Sequence, residues 1–312
     1  MGITIQLPVQ SQEEGGLAVP ARRFLEMVRE LPESDILLQT RKNQSLLVEC
    51  GQCLFRLVGL PTEEFPQLPP FPTTGVVSCE QSVVKSMLTL TTFAISTEEA
   101  RYVLNGSLLT LRDRLLTLVA TDGRRLAVAT TELPMPAPEL RAIVPSKTLR
   151  ELLRLLDVGP MDIALLTGNQ ILFRLGPITL ISRLIEGEFP NYEKAIPPPV
   201  KEKLCVDRAA LLAVVRRACL LTTPNSQAVR FELNHNRLHM FKEAAEIGEV
   251  REELAVQYTG KPLTIHFNPQ YLLDVLKVLP DEEVAWELTS PEKAGVLRTK
   301  DYCYIVLPMQ PT

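Results

Sequence analysis

At 312 residues the chain has room for two or three domains, each able to bury its own core. Its 46% hydrophobic and 22% charged residues are those of an ordinary soluble globular protein; only 5% is aromatic, and the formal net charge is −4. That balance excludes a surface that grips nucleic acid everywhere, an aromatic-rich nucleotide platform and a membrane span, since no apolar run nears ~18 residues, but it permits a basic stripe on one face.

The amino terminus, Met1-Gly2-Ile3-Thr4-Ile5-Gln6, has no basic region followed by an apolar stretch, so no signal peptide is expected and the protein is placed in the cytoplasm. Six cysteines (50, 53, 79, 205, 219 and 303) fit reduced thiols in that compartment. A first amphipathic helix is expected within Val19–Leu31, followed by β-type runs at Leu46–Glu49 and Leu54–Leu57. Cys50-Gly51-Gln52-Cys53 reads as cysteines flanking a hairpin turn. Pairing it with His235 and His239 as a zinc site fails on the long separation between the two pairs, and no metal or cofactor is expected. A Pro-rich joint at 66–72 precedes a helix over Glu80–Thr91, and a Thr121-Asp122-Gly123 turn follows. Further on come a helix within Val144–Leu156 and a hairpin from Ile171–Leu175 to Ile178–Ile181, turned at Gly176-Pro177. A second joint at Pro197-Pro198-Pro199 leads to a helix over Val206–Leu220, another within Phe267–Leu279, and a terminal run Tyr302–Met309.

These elements repeat. The helices at 19–31, 144–156 and 267–279 align on Glu26, Glu151 and Asp274, which lie 125 and 123 residues apart. A second marker has the same period: Leu60–Pro66 matches Ile185–Pro190, with Phe65 and Phe189 separated by 124. The spacing is too long for a solenoid and describes three tandem α+β domains of one fold, at 1–72, 73–199 and 200–312. Unit two opens near Cys79, so unit one is expected to lack about its first 48 residues, its opening helix included.

Ala120-Thr121-Asp122-Gly123-Arg124-Arg125-Leu126-Ala127 is very similar to the A-T-D-G-x-R-L-A signature of the bacterial DNA polymerase III beta subunit, the sliding clamp. Leu184–Tyr192 resembles the L-x-x-G-x-F-P-x-Y segment of that family, and Tyr302–Met309 its Y-V-V-M-P-M ending. The resemblance covers essentially the whole chain and implies a DNA clamp fold. Three domains form a crescent, and two crescents close head to tail into a ring whose helices line a hole for duplex DNA. The implied function is a processivity factor with no catalytic activity, associated with the nucleoid. Its partners would be duplex DNA in a sequence-independent manner, the DNA polymerase III alpha subunit, the clamp loader and other clamp-motif proteins. The alternative is a clamp relative that binds such peptides as an adaptor without forming a stable ring. None of the usual phosphate-loop, dinucleotide, nucleophile-elbow or zinc-protease motifs is present.

Three sites follow from the resemblance. Lys147, Arg150 and Arg154 share one helix face and suit contact with phosphates through solvent, Arg208, Arg216 and Arg217 make a second basic helix, and Arg101-Tyr102 falls on a loop that touches DNA in the family. Arg22, Arg23 and Arg29 form a third basic helix diluted by acids. A peptide-binding cleft between domains two and three would use Leu104, Thr121, Gly123, Arg124, Arg125, Leu126, Pro190, Asn268, Tyr271, Ile305, Val306, Leu307, Pro308 and Met309. Gln310 and Lys194 stand where the family commonly has Arg. The dimer interface would join Phe55 and Leu57 on an edge strand to Leu220, Leu221 and the acids Glu243, Glu246, Glu249, Glu252 and Glu253. Gln52 and Leu54 replace expected positive charge there, leaving Arg56 and Arg41 or Lys42.

Overall fold

A computed structural model describes residues 1–200, 203–244, 247–258 and 260–310; Glu246 of the expected acidic stretch lies outside them. The chain divides into two compact units, Gln6–Pro70 on one hand and Met1–Ile5 with Phe71–Thr312 on the other. The chain begins with β1 (Gly2–Ile5), which belongs to the larger unit. The smaller unit holds α1 (Ala21–Arg29) and an antiparallel sheet of β2 (Ile36–Arg41), β3 (Ser45–Cys50) and β4 (Cys53–Val58). Cys50 and Cys53 pair across the Gly51-Gln52 turn, as the hairpin reading expects. Met27 on α1 packs with Leu46 and Val48 on β3, while Ile36, Leu37 and Leu38 on β2 stay exposed.

The larger unit continues with β5 (Val76–Glu80), α2 (Gln81–Thr91), β6 (Gly106–Arg112), β7 (Leu115–Thr121), β8 (Arg125–Glu132), β9 (Leu140–Pro145), α3 (Ser146–Leu155), β10 (Pro160–Leu166), β11 (Gln170–Leu175) and β12 (Ile178–Arg183). Then come β13 (Leu204–Asp207), α4 (Arg208–Cys219), β14 (Val229–Asn234), β15 (Arg237–Ala244), β16 (Gly248–Ala255), β17 (Gln257–Tyr258), β18 (Leu263–Phe267), α5 (Pro269–Leu276), β19 (Glu283–Glu287), β20 (Gly295–Arg298) and β21 (Tyr302–Val306). Local chemistry sets the helix starts: the Asp207 carboxylate accepts the Ala210 N–H at 2.7 Å ahead of α4. Asn268 caps α5, with Pro269 in the first turn, where its missing N–H costs nothing.

Three sheets result, of orders β1-β12-β11-β10-β5, β17-β13-β19-β20-β21-β8-β7-β6-β9 and β16-β15-β14-β18. The second and third repeats therefore share one nine-stranded sheet and count as one compact unit, joined where β21 pairs with β8. The helix-side faces of the three sheets merge into a single core with Leu88, Leu149, Leu152, Phe231 and Trp286. On its other face the long sheet carries Leu108, Val119, Leu126, Val128, Cys303 and Ile305. The segment after β12 covers them with Phe189, Ile185, Tyr192 and Ile196. Burying the Phe189 ring, only 3% exposed, contributes about 1.5–3 kcal/mol to holding that segment down. The Gly of the Leu184–Tyr192 motif, Gly187, has φ +128°, and a Cβ there would stand 3.0 Å from the Val103 side chain. Sheet burial on both faces explains why β6 and β8 read as nearly continuous apolar runs.

The repeat extends to strand register. Gly2 on β1 faces Ile181 on β12, and Leu126 on β8 faces Ile305 on β21 in the same hydrogen-bonding orientation, so both partners are displaced by 124 residues, close to the helix period. β1 is thus the counterpart of β8, and β16 is the third member of that set. Likewise β4, β12 and β21 are counterparts.

Candidate functional site

The motif at 120–127 folds as a tight turn that ends in β8. The Asp122 carboxylate accepts the Arg124 and Arg125 backbone N–H groups at 2.9 and 3.0 Å, and the Thr121 hydroxyl accepts the Gly123 N–H at 3.0 Å. Gly123 has φ +85°, and a Cβ would lie 2.6 Å from the Arg101 guanidinium, which donates to the Asp122 carbonyl at 2.9 Å. The sequence demands Gly there for both reasons.

Arg125 is the centre of the site. Its guanidinium lies 4.6 Å from the Tyr271 ring centre and 5.5 Å from that of Phe93. Nε donates to Asp122 at 3.0 Å, one terminal nitrogen to Asp274 at 2.6 Å and the other to the Phe93 carbonyl at 2.7 Å. Burial by itself lowers the Arg125 pKa, but the Asp274 and Asp122 carboxylates beside it favour the charged form and the pKa ends up raised. The Tyr304 phenol, raised in pKa by burial, donates to the Tyr271 carbonyl at 2.9 Å and stays neutral.

The carboxyl-terminal segment leaves β21 alongside this turn. The Leu307 N–H donates to the Arg124 carbonyl at 2.9 Å, and the Met309 N–H to the His266 carbonyl at 2.8 Å, so two backbone bonds pin an otherwise irregular stretch. The Leu307 side chain is 46% exposed, with Pro308 and Met309 half-buried beside it. Arg124, Gly123 and Pro190 are exposed and Thr121 and Tyr271 half-buried, while Leu104, Leu126 and Ile305 lie beneath the surface in the outer-face cluster. Three of the expected cleft residues are already committed within the protein. Val306 points to the opposite face of the strand from Ile305 and is wholly buried in the helix-side core, so it offers nothing to a ligand here. Arg125 has all three nitrogens engaged within the protein, and Asn268 is committed to capping α5 and to Gln227.

The basic residues divide by what already holds them. Lys147, Arg150 and Arg154 stand exposed on one face of α3, opposite buried Thr148, Leu149 and Leu152. The Arg154–Glu151 contact at 3.3 Å is too exposed to hold that charge back. On α4, Arg216 is exposed, but Arg208 donates to the Asp281 and Leu276 carbonyls at 2.8 and 3.0 Å and serves the end of α5 instead. Arg217 forms a two-point pair with Glu252, one contact at 2.9 Å, which holds that carboxyl below the usual carboxylate range. Arg101 is spent on the Asp122 carbonyl and on Glu98 at 3.4 Å, leaving Tyr102 as the exposed member of its loop. These three arginines of the expected DNA-facing set are already engaged within the protein. In the smaller unit, Arg22 and Arg23 pair with Glu26.

The edges are as follows. β4 pairs with β3 and with no second strand among the described residues, and Phe55 is exposed and Leu57 half-buried on it. β16 likewise has β15 as its single described partner. Leu220 is 75% exposed and Leu221 half-buried at the end of α4. β15 and β16 carry Glu243, Glu249, Glu252 and Glu253, of which Glu249, Glu252 and Glu253 are already paired, to Arg251, Arg217 and Arg237.

Three residues of the site escaped sequence reasoning: Asp274, Phe93 and His266. Asp274 was visible as an aligned acid of the repeat, whereas Phe93 and the His266 carbonyl left no signal.

Comparison with known proteins gives a consistent result. Family profiles of the DNA polymerase III beta subunit match in order: the N-terminal domain over residues 1–69, the central domain over 78–191 and the C-terminal domain over 193–310. The beta sliding clamp of Pseudomonas aeruginosa is 33% identical over 304 residues, covering 96% of this chain and 83% of that protein. That of Chlamydia trachomatis is 31% identical over 300 residues, covering 96% and 72%. Among solved structures, a Pseudomonas aeruginosa DnaN sliding clamp bound to griselimycin matches with a TM-score of 0.92 at 32% identity, covering 99% of this chain and 85% of that one.

Proposed function

Because the chain belongs to the DNA polymerase III beta subunit family of sliding clamps, we propose that two copies close head to tail into a ring that encircles duplex DNA and holds a replicative polymerase on it. The role is non-catalytic: the ring is a topological link. The observation that carries it is the pattern of strand edges. Of the counterpart strands β1, β8 and β16, the first two pair with β12 and β21; β4 and β16 are left without a second described partner. Extending the same pairing rule to β4 of one copy and β16 of the next places Arg56 opposite Glu249, and applying it twice closes the ring.

Lys147, Arg150, Arg154 and Arg216 are the cations free to attract phosphates through solvent, without sequence preference and with strong salt dependence. Leu307, Pro308 and Met309, flanked by Arg124 and Pro190, are the surface for the apolar anchors of an extended peptide from the polymerase alpha subunit, the clamp loader and other clamp-motif proteins. A structural relative bound to griselimycin supports such a surface here. No helix among the described residues is long and apolar enough to cross a membrane. A DNA partner supports a cytoplasmic location at the nucleoid.

The test is retention on DNA. Loaded by a clamp loader onto nicked circular DNA, the protein is expected to co-elute with the circle at moderate salt and to be released when the circle is cut. A strict monomer that binds griselimycin but is never retained would instead be an adaptor.

A further inference from the structure

We propose that Asp274 is a positioning residue for the peptide surface, acting through Arg125 and the Arg124 carbonyl on the backbone of Leu307; this rests on the peptide-binding role proposed above. The three acids that align in the repeat are used in different ways. Glu26 contacts Arg22 and Arg23 on its own helix, and Glu151 contacts Arg154 on its own helix, both in solvent. Asp274 reaches across the joint between the second and third repeats and meets Arg125 at 2.6 Å, with side chains only 20% and 10% exposed. Its second oxygen accepts the Gln270 amide at 2.7 Å, which fixes the direction of the carboxylate.

The second repeat orients Arg125 through Asp122 and Phe93, and the third through Asp274, Tyr271 and Tyr304. Asp274 and Tyr271 both stand on α5 of the third repeat, one turn apart. The guanidinium is therefore a rivet between two repeats whose backbones also meet where the Leu307 N–H reaches the Arg124 carbonyl. Rivet and anchor sit on adjacent residues of one turn. Removing the Asp274 charge leaves a nearly buried guanidinium with one carboxylate, and it must tilt toward water or drag the 121–125 turn with it. Either way the acceptor of the Leu307 N–H moves, and the exposed Leu307 side chain loses its fixed direction.

Asp274→Asn is expected to weaken griselimycin binding about tenfold, within the range usual for coupling between neighbouring sites, and to speed hydrogen exchange at the Leu307 amide. Asp274→Glu should recover part of both effects. Arg125→Lys, which keeps the charge but loses the planar fork and the stacking, should repeat the Asn result. Asp162→Asn is the control for lost stability: it breaks another ion pair of the same length, 2.6 Å to Arg174, on the β10–β11 hairpin. It should leave griselimycin affinity and the Leu307 amide unchanged. Wild-type affinity and exchange in Asp274→Asn, or an equal loss in Asp162→Asn, would overturn the positioning role. If the unmodified protein binds no griselimycin, the peptide-surface reading fails on its own, and Leu307 exchange still decides whether Asp274 governs that backbone.

Discussion

Arg56→Pro on β4 is expected to convert the dimer into a monomer and leave the chain folded. The Gly59 N–H donates to the Gln44 carbonyl, and Cys50 and Cys53 close a two-residue turn, so the odd-numbered residues of β4 bond to β3. Leu54, Arg56 and Val58 therefore direct their N–H groups to the free edge. A proline at 56 removes a donor that only a neighbouring strand would use, and its ring sits where that strand must approach. Losing two or three strand bonds at about 0.5–1.5 kcal/mol each weakens association by about 100-fold or more. Sedimentation velocity at micromolar protein should show the monomer, with an unchanged far-UV spectrum. Arg56→Ala, which keeps the N–H, should stay dimeric. A dimeric proline variant would remove β4 from the interface.

Leu307→Asp carries the second large effect. Leu307 is anchored by its backbone, and its half-exposed side chain lies outside both core clusters, so the substitution should change stability by no more than about 0.5 kcal/mol. At the peptide surface it replaces an apolar contact with a carboxylate that a bound apolar anchor would have to desolvate. A loss of about 2–3 kcal/mol, about 30- to 150-fold in griselimycin affinity by titration calorimetry, is the expected size for a central contact of this kind. Unchanged affinity would move the binding surface elsewhere.

The architecture was legible because it is written three times. One helix pattern at a fixed period predicts the unit, and nearly the same offset, 124 residues, recurs in the pairing of Gly2 with Ile181 and Leu126 with Ile305. The basic face of α3 was legible too, since spacings of three, four and seven need nothing but helix geometry. Other parts were hidden for physical reasons. Arg208 and Arg150 look alike in sequence, but Arg208 meets carbonyls some 70 residues away, at Asp281 and Leu276. Arg217 is claimed by Glu252, and Arg101 by the Asp122 carbonyl. Alternation along β21 was known, yet which side of it faced a ligand was not, because apolar cores lie on both faces of this sheet. Hence Ile305 and Val306 could not be separated beforehand. Arg125 was recognised as part of the site through its motif, but its occupation by Asp274 depends on α5 of the next repeat.

The ring itself can be tested in covalent form. The register that places Arg56 opposite Glu249 also places Cys53 opposite Glu252. Both then fall at a non-hydrogen-bonded position, where antiparallel Cα atoms stand about 4.5 Å apart, within disulfide reach. Glu252→Cys protein, loaded onto nicked circular DNA and mildly oxidised, is predicted to become a closed dimer through the native Cys53 and to stay with the circle in denaturing detergent until the DNA is cut. Absence of a crosslink that depends on Cys53, or a crosslinked dimer that leaves the intact circle in detergent, would contradict a ring closed by β4 and β16.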